Sequence, residues 1–353
     1  MTITEEIEIL LKYLPQISLE KNYWLIRTQS GSLYAAFRDL NLVAANHELI
    51  SAEKLKEYNK ISGSDKSKLV DLVKNELTLT ISQQSPNLVI SDRDLTLKAN
   101  QIIRFAYEIK KGDVVIIPSK DSKYVSLGTI IDSDFSGKFV FHEEGWSGHL
   151  NLTKPVKWEK IVPRSRLDVA LFKLFTTHQA VVKADGYAES IERTLNDLYI
   201  LHDDAHIILD IEQEGDIPAK DLFGLGHELL QLIDEFAEFS GINVSSNDLS
   251  VQVNLNSPGK IDLKSKVKRT TLVMGLILLI AGGGYEDGSG HKLKTDGVPG
   301  ILQSISEFLD AKNDREMKRE LFTKYRDSLH IKNPQDLTSA LKQFSENKDL
   351  PKK

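Results

Sequence analysis

Asp262-Leu263-Lys264 is the tripeptide with the most chemistry in it. One type of nuclease that works through a divalent metal needs an aspartate, plus an acidic residue or glutamine two positions before a lysine, on adjacent strands. Alternation along KIDLKSKVK (260–268) puts Asp262 and Lys264 on one face, with Asp248 upstream on the partner strand. The register argues against a metal site. With a turn at 256–259, Asp262 opposes residue 253, which leaves Asp248 about 17 Å away at ~3.4 Å per residue. Lys266 and Lys268 continue the same face, as on a plain solvated strand. His227-Glu228 opens HELLQ, but a zinc hydrolase needs a histidine where Gln231 stands. His202 and His206 form the one HxxxH pair, at the entry to a predicted strand, where that spacing does not converge the rings. AGGGYEDGSGHK (281–292) lacks the Gly-Lys-Ser/Thr of a phosphate loop and reads as a helix end and a turn. No catalytic residue, metal or cofactor is assigned, and the chain reads as a binding protein more than an enzyme.

The 353 residues are long enough for two domains and a sizeable core. At 41% hydrophobic and 27% charged, the composition excludes a disordered chain. The absence of cysteine excludes a disulfide framework and thiolate metal sites. The acidic start MTITEEIEILLKYLPQ carries no secretory or transit signal, so a cytoplasmic location is expected. Charge divides the chain. Residues 1–196 carry 26 Lys+Arg against 25 Asp+Glu, and residues 197–353 carry 19 against 26. Within 201–250 the count is 1 against 12, which excludes a nucleic-acid groove there. The three tryptophans, Trp24, Trp146 and Trp158, all lie in the first half.

An α+β fold is predicted. A helix covers 4–14 and ends at Pro15; KNYWLIRTQSG (21–31) is a strand entering a turn. Helices follow at 65–77, capped by Ser64, and at 95–110, capped by Asp94, with SQQSPN (82–87) as a loop between them. GDVVIIPS (112–119) and YVSLGTII (124–131) form a hairpin around the polar KDSK. KFVFH (138–142) and PVKW (155–158) add short strands, which together predict a small barrel. Helices at 166–178 and 185–197 close this module.

Four pieces, in order, carry a resemblance to the PUA/EVE-like superfamily, and more closely to the N-terminal modules of Mrr-type restriction endonucleases and related bacterial defence proteins. They are Tyr23-Trp24-Leu25-Ile26-Arg27, the helix QIIRFAYEIKKGD (101–113), the hairpin 112–130, and a closing segment of His149, Pro155-Val156-Lys157-Trp158 and Pro163-Arg164-Ser165. The match spans about 21–196. The resemblance implies a PUA/EVE-like β-barrel that reads DNA or RNA, in several branches by admitting a modified base to an aromatic pocket. Stacking a base on an aromatic ring contributes about 1–3 kcal/mol. The expected nucleic-acid contacts are Trp24, Trp146 and Trp158 around the base, Ser119 and Lys120 at its edge, and Arg27 and Arg164 on phosphate. Lys157, Lys160, Arg164 and Arg166 form a basic cluster that also fits a solvated face.

The second half reads as a βαββ unit: HIILDIEQ (206–213), a helix at 217–241, LSVQVNL (249–255) and 260–268, with Ser257-Pro258-Gly259 at the last turn. It resembles, more weakly, a βαββ element of bacterial defence-type proteins. TTLVMGLILLIAGGGY (270–285) is the most apolar run; at 16 residues it is short of the ~20 that a spanning helix needs. It fits a core helix or an oligomer interface, or a segment that inserts into a membrane. Polar helices are predicted near 297–311, 313–329 and 334–347. The expected partition is an N-terminal helix (1–20), a barrel module (21–199), a βαββ module (200–268), and an apolar helix with a helical tail (269–353). The expected function is a non-enzymatic nucleic-acid sensor whose C-terminal half forms a homo-oligomer or signals to a protein partner. A membrane-acting effector and a nuclease built on Asp262 and Lys264 are the alternatives.

Overall fold

Thr2 and Glu5 exchange side-chain and backbone hydrogen bonds in a capping box, so helix α1 (Ile3–Tyr13) begins at once. Strand β1 (Gln16–Ile17) follows. Both belong with the end of the chain. The computed structural model divides into one unit of residues 1–19 and 196–353 and another of residues 20–195. The structure describes all residues except 19, 46–48, 86, 138, 144–145, 214, 255–258, 282–298, 312 and 348–353.

In residues 20–195 the elements run β2 (Tyr23–Ile26), α2 (Tyr34–Asp39), β3 (Leu42–Ala44), α3 (Ala52–Ser62), α4 (Lys66–Gln84), α5 (Asp92–Ile103), β4 (Val114–Pro118), β5 (Tyr124–Ile130), β6 (Phe139–Glu143), β7 (Trp146–Leu150), β8 (Thr153–Pro163), β9 (Val181–Lys183) and α6 (Ala188–Leu195). Six strands form a half-barrel in the order β3-β8-β5-β4-β2-β9, and β6 pairs with β7 in a separate hairpin. Among the described residues the sheet does not close as the predicted barrel would, because β3 and β9 remain its two edges. Strand β2 is parallel to β4 and antiparallel to β9, and all four of its residues are buried. Trp24 and Ile26 join a core shared with the helices α2 to α5, while Tyr23 and Leu25 join one shared with residues 171–175 and α6. Cover on both faces is what removes the in-out alternation from YWLI. At Leu127/Gly128 the β5–β8 register shifts by a bulge, and a Cβ on Gly128 would overlap Trp158 and the Lys157 carbonyl.

Several predicted boundaries shift. Asp65, not Ser64, caps α4, accepting from the Lys68 N–H at 3.0 Å, and α4 runs on to Gln84 through part of the expected loop. Ser91 caps α5, and Asp94 lies three residues in, where Ser91 Oγ donates to its carboxylate at 2.7 Å. The chain then widens into a π-turn over Arg104–Glu108. The helix expected at 166–178 is a 3₁₀ segment (Val169–Thr176) capped by Asp168.

The other unit holds β10 (Leu198–Leu201), β11 (Asp204–Ile211), α7 (Ala219–Ser240), β12 (Ser250–Asn254), β13 (Gly259–Ser265), α8 (Lys268–Ala281), α9 (Gly300–Asp310), α10 (Asn313–Ser328) and α11 (Gln335–Glu346). Its sheet order is β1-β10-β11-β13-β12. The expected βαββ element is β11–α7–β12–β13, with β13 between β11 and β12. Helices 1 and 7 to 11 contribute to one core with the inner face of the sheet. Buried Glu6 of α1 accepts from the Ile301 N–H at 2.7 Å, where its charge meets the N-terminal end of α9.

The apolar run becomes α8, in which every residue from Thr270 to Leu279 is buried. Fourteen residues reach about 21 Å at 1.5 Å per residue, short of the ~30 Å hydrocarbon layer. No helix among the described residues is long and apolar enough to cross a membrane. The glycine-rich stretch after Ala281 and the Ser257-Pro258 turn lie outside the described residues.

Candidate nucleic-acid interface

Parallel strands β2 and β4 end side by side, with Leu25 opposite Ile116. The chain leaves β2 through Arg27–Gly31 and leaves β4 through Ser119–Lys123. These two turns are fastened together. Thr28 Oγ1 donates to the Pro118 carbonyl at 2.5 Å, and a Cβ on Gly31 would overlap the Lys120 backbone. Both turns hold non-glycine residues in left-handed backbone, Gln29 and Ser30 in one, Asp121 and Ser122 in the other. The end of β8 joins them, since the Arg164 N–H donates to the Lys123 carbonyl at 3.0 Å. Arg27 Nη1 donates to the Phe175 carbonyl at 2.9 Å, and the Arg164 guanidinium lies 4.8 Å over the Phe172 ring.

Three stretches far apart in sequence thus bring Arg27, Lys120, Lys123 and Arg164 to one end of the half-barrel. Lys120 and Lys123 are exposed, and neither has an acidic partner among the described residues. Asp121 is the carboxylate within the turn. Tyr124 opens β5 beside them, 43% exposed, with the Lys123 ammonium 5.8 Å from its ring centre. An exposed ring among cations is the combination that single-stranded nucleic acid uses: a face to stack on and charge for the backbone.

Of the residues predicted to touch nucleic acid, Arg27, Ser119, Lys120 and Arg164 meet at this rim. Ser119 closes the hairpin, where its Oγ accepts from the Tyr124 N–H at 2.8 Å. Trp24 is corrected to a core residue: it is 1% exposed, and its Nε1 donates to buried Asp113 at 2.8 Å. A ring enclosed on both faces offers none to a base. Trp158 is half-buried against the helices, its Nε1 donates to the Phe37 carbonyl at 3.1 Å, and Arg38 lies 5.6 Å from its ring centre. It stands opposite Gly128, four residues along β5 from Tyr124 and the hairpin end that holds Ser119. Trp146 lies on β7 and its side chain is outside the described residues, as is that of His149. Lys157 and Lys160 are exposed along β8, opposite Thr129 and Leu127. Sequence reasoning missed Tyr124 and Lys123. Their mark was position: they are the last polar residue of the loop and the first residue of the strand, where the ring projects at the hairpin's end.

No protein-family model, no curated protein and no solved structure matches this chain.

The nuclease residues are drawn apart. Asp262 pairs with the buried His206 at 3.0 Å, and it stands opposite Gln252, not residue 253. Asp248 accepts from Thr270 Oγ1 at 3.0 Å and closes the 245–248 cap. His202 occupies the left-handed position of the β10–β11 turn, away from a shared face with His206. His227 on α7 pairs with Gln231 on the exposed surface. Among the described residues, no three His, Asp or Glu side chains are placed to hold a metal ion.

Lys154 is a charged group with no mark in the sequence pattern. It is fully buried, and its Nζ donates to the carbonyls of Ile109 and Ser133, tying β8 to the π-turn and to the loop after β5. Burial, with Lys110 nearby, pushes its pKa down to about 8 from 10.5. The folded state therefore holds this proton less tightly than the unfolded chain. Stability contributed by this group is expected to rise between pH 8 and 10.5, where the unfolded chain still binds the proton. Urea denaturation across that range should show the rise in the parent and a flatter profile in Lys154→Met. Parallel profiles would contradict it.

Proposed function

We propose that residues 20–195 form a non-catalytic nucleic-acid-binding module that engages single-stranded or unpaired DNA or RNA at the rim of Arg27, Lys120, Lys123, Arg164 and Tyr124. The observation that carries this reading is the convergence of three separate stretches on one end of the sheet, with two lysines that have no acidic partner among the described residues beside an exposed tyrosine. The near-neutral charge of the first half fits a short binding site better than a long duplex groove. The resemblance to PUA/EVE-like modules supports the same reading and adds a modified base as a ligand; Tyr124 takes the stacking part that Trp24 cannot. In keeping with that resemblance, the other unit is proposed to carry oligomerisation or signalling in a defence-type protein.

The test is binding of the full chain to a short single-stranded oligonucleotide over a range of salt. Lys120→Glu with Lys123→Glu is expected to weaken binding by an order of magnitude or more. It should also lower the slope of log K against log salt by about 1.4, because each phosphate that a lysine neutralises on a single strand adds about 0.7 to that slope. Tyr124→Ala should weaken binding while leaving the slope unchanged. Unchanged affinity in the double lysine variant would overturn the rim.

A further inference from the structure

Beside the rim, the turn after β2 walls a cleft of about 320 Å³. This is the lower end of the range for small-molecule sites. Its polar lining is a guanidinium (Arg27), an imidazole (His178), the amide of Gln29 and the hydroxyl of Ser30, and no carboxylate lines it among the described residues. The apolar part comes from Leu33 and from alanines at the end of β3 and before β9. Arg27 is held at the cleft by two bonds: its N–H donates to the Ala180 carbonyl at 2.9 Å, and Nη1 donates to Phe175. A guanidinium carries five N–H groups, so most of its donors remain for a ligand. Ser30 has no hydrogen-bond partner among the described residues, and His178 is exposed. Three consecutive left-handed residues, Gln29, Ser30 and Gly31, shape this wall, a costly conformation that Thr28 and the Lys120 backbone hold in place.

We propose that this cleft binds a phosphomonoester, the terminal phosphate of a nucleic-acid strand, with Arg27 as the charged anchor and Ser30 and His178 as further donors. A guanidinium offers paired N–H groups to phosphate oxygens, and no carboxylate among the described lining residues opposes the dianion. The proposal rests on the nucleic-acid reading of the rim and adds recognition of the strand end.

The experiment compares the full chain's affinity for one oligonucleotide carrying a 5′-phosphate, a 3′-phosphate or hydroxyl ends, with adenosine monophosphate as a free competitor. One phosphorylated end is expected to bind about tenfold tighter than the hydroxyl form, the effect of one or two charge-assisted hydrogen bonds. Arg27→Gln and His178→Ala should each reduce that preference. His178 is exposed, so its variant keeps the test valid if Arg27→Gln perturbs the 3₁₀ segment. Equal affinity for all three ends, or a preference that survives both variants, overturns the cleft while leaving the rim intact. Binding of adenosine monophosphate without any oligonucleotide would uphold the cleft as a mononucleotide site and overturn the rim. Binding of neither would overturn both.

Discussion

Replacing Trp24 with alanine is expected to cost the half-barrel about 3–5 kcal/mol, the usual range for emptying a tryptophan-sized space in a core. The ring is 1% exposed within the helix-side core, with Ile26, Val115 and Ile117 on the same face of the sheet. It is also half of a polar knot. Asp113, itself buried, accepts from Trp24 Nε1, from the Lys110 N–H at 2.9 Å and from the Asn22 N–H at 3.1 Å. Those bonds pin the start of β4 to the start of β2, so the two parallel strands share an anchor. Trp24→Phe restores most of the volume and removes one donor, and is expected to cost about 1–3 kcal/mol. Urea denaturation followed by far-UV circular dichroism measures both. An alanine variant as stable as the parent would show that the ring is not packed as described. A fall of this size also means that loss of nucleic-acid binding in Trp24→Ala would report unfolding. Tyr124→Ala is the variant that separates stacking from stability.

The β4–β5 hairpin is legible in the sequence because it combines apolar β-branched runs with a polar loop of four, KDSK. The βαββ element is legible for a similar reason: Leu225, Leu229, Leu232 and Phe236 repeat at helical spacing, and 260–265 alternates. Stretches whose order comes from packing against distant chain are harder to see. LYIL (198–201) has no alternation because all four residues are buried, and β1 is two residues long and pairs with β10 across about half of the chain length. The α2–β3–α3 stretch is short elements held by the core beneath them. The rim follows the same division. Arg27, Ser119, Lys120 and Arg164 are marked by lying at strand ends. Which aromatic faces solvent depends on the sheet having cover on both sides, and that depends on helices the local pattern does not specify. Trp24 and Trp158, conspicuous by type, pack against those helices, and Tyr124 stands clear of them.

Asp197 and Asp336 carry the second large prediction. Asp197 stands just before β10 and accepts from the Gln335 and Asp336 N–H groups at 2.7 and 2.9 Å, capping α11. Asp336 reciprocates: one of its oxygens, Oδ2, accepts from both the Asp197 and Leu198 N–H groups, at 2.7 and 3.2 Å. Burial first, and the Asp197 charge second, push the Asp336 pKa up to about 7 from 3.8. A raised carboxyl pKa means that the folded state binds the proton more tightly than the unfolded chain. The stability it contributes is complete below pH 3.8 and is lost as pH rises through 7. The full shift corresponds to roughly 4 kcal/mol, and solvent screening at this partly exposed pair reduces it to about 2 kcal/mol. Asp336→Asn keeps the single oxygen that accepts both bonds and puts an amide where the proton would sit. It is therefore expected to match the parent near pH 4 and to exceed it by about 2 kcal/mol at pH 8. Asp197→Asn cannot do the same, because each of its two oxygens already accepts a helix N–H and the amide would lose one. Urea denaturation of both variants at the two pH values reads the asymmetry directly. Equal effects of the two substitutions at pH 8 would mean that the Asp336 pKa is not raised, and that α11 is held by its apolar face alone.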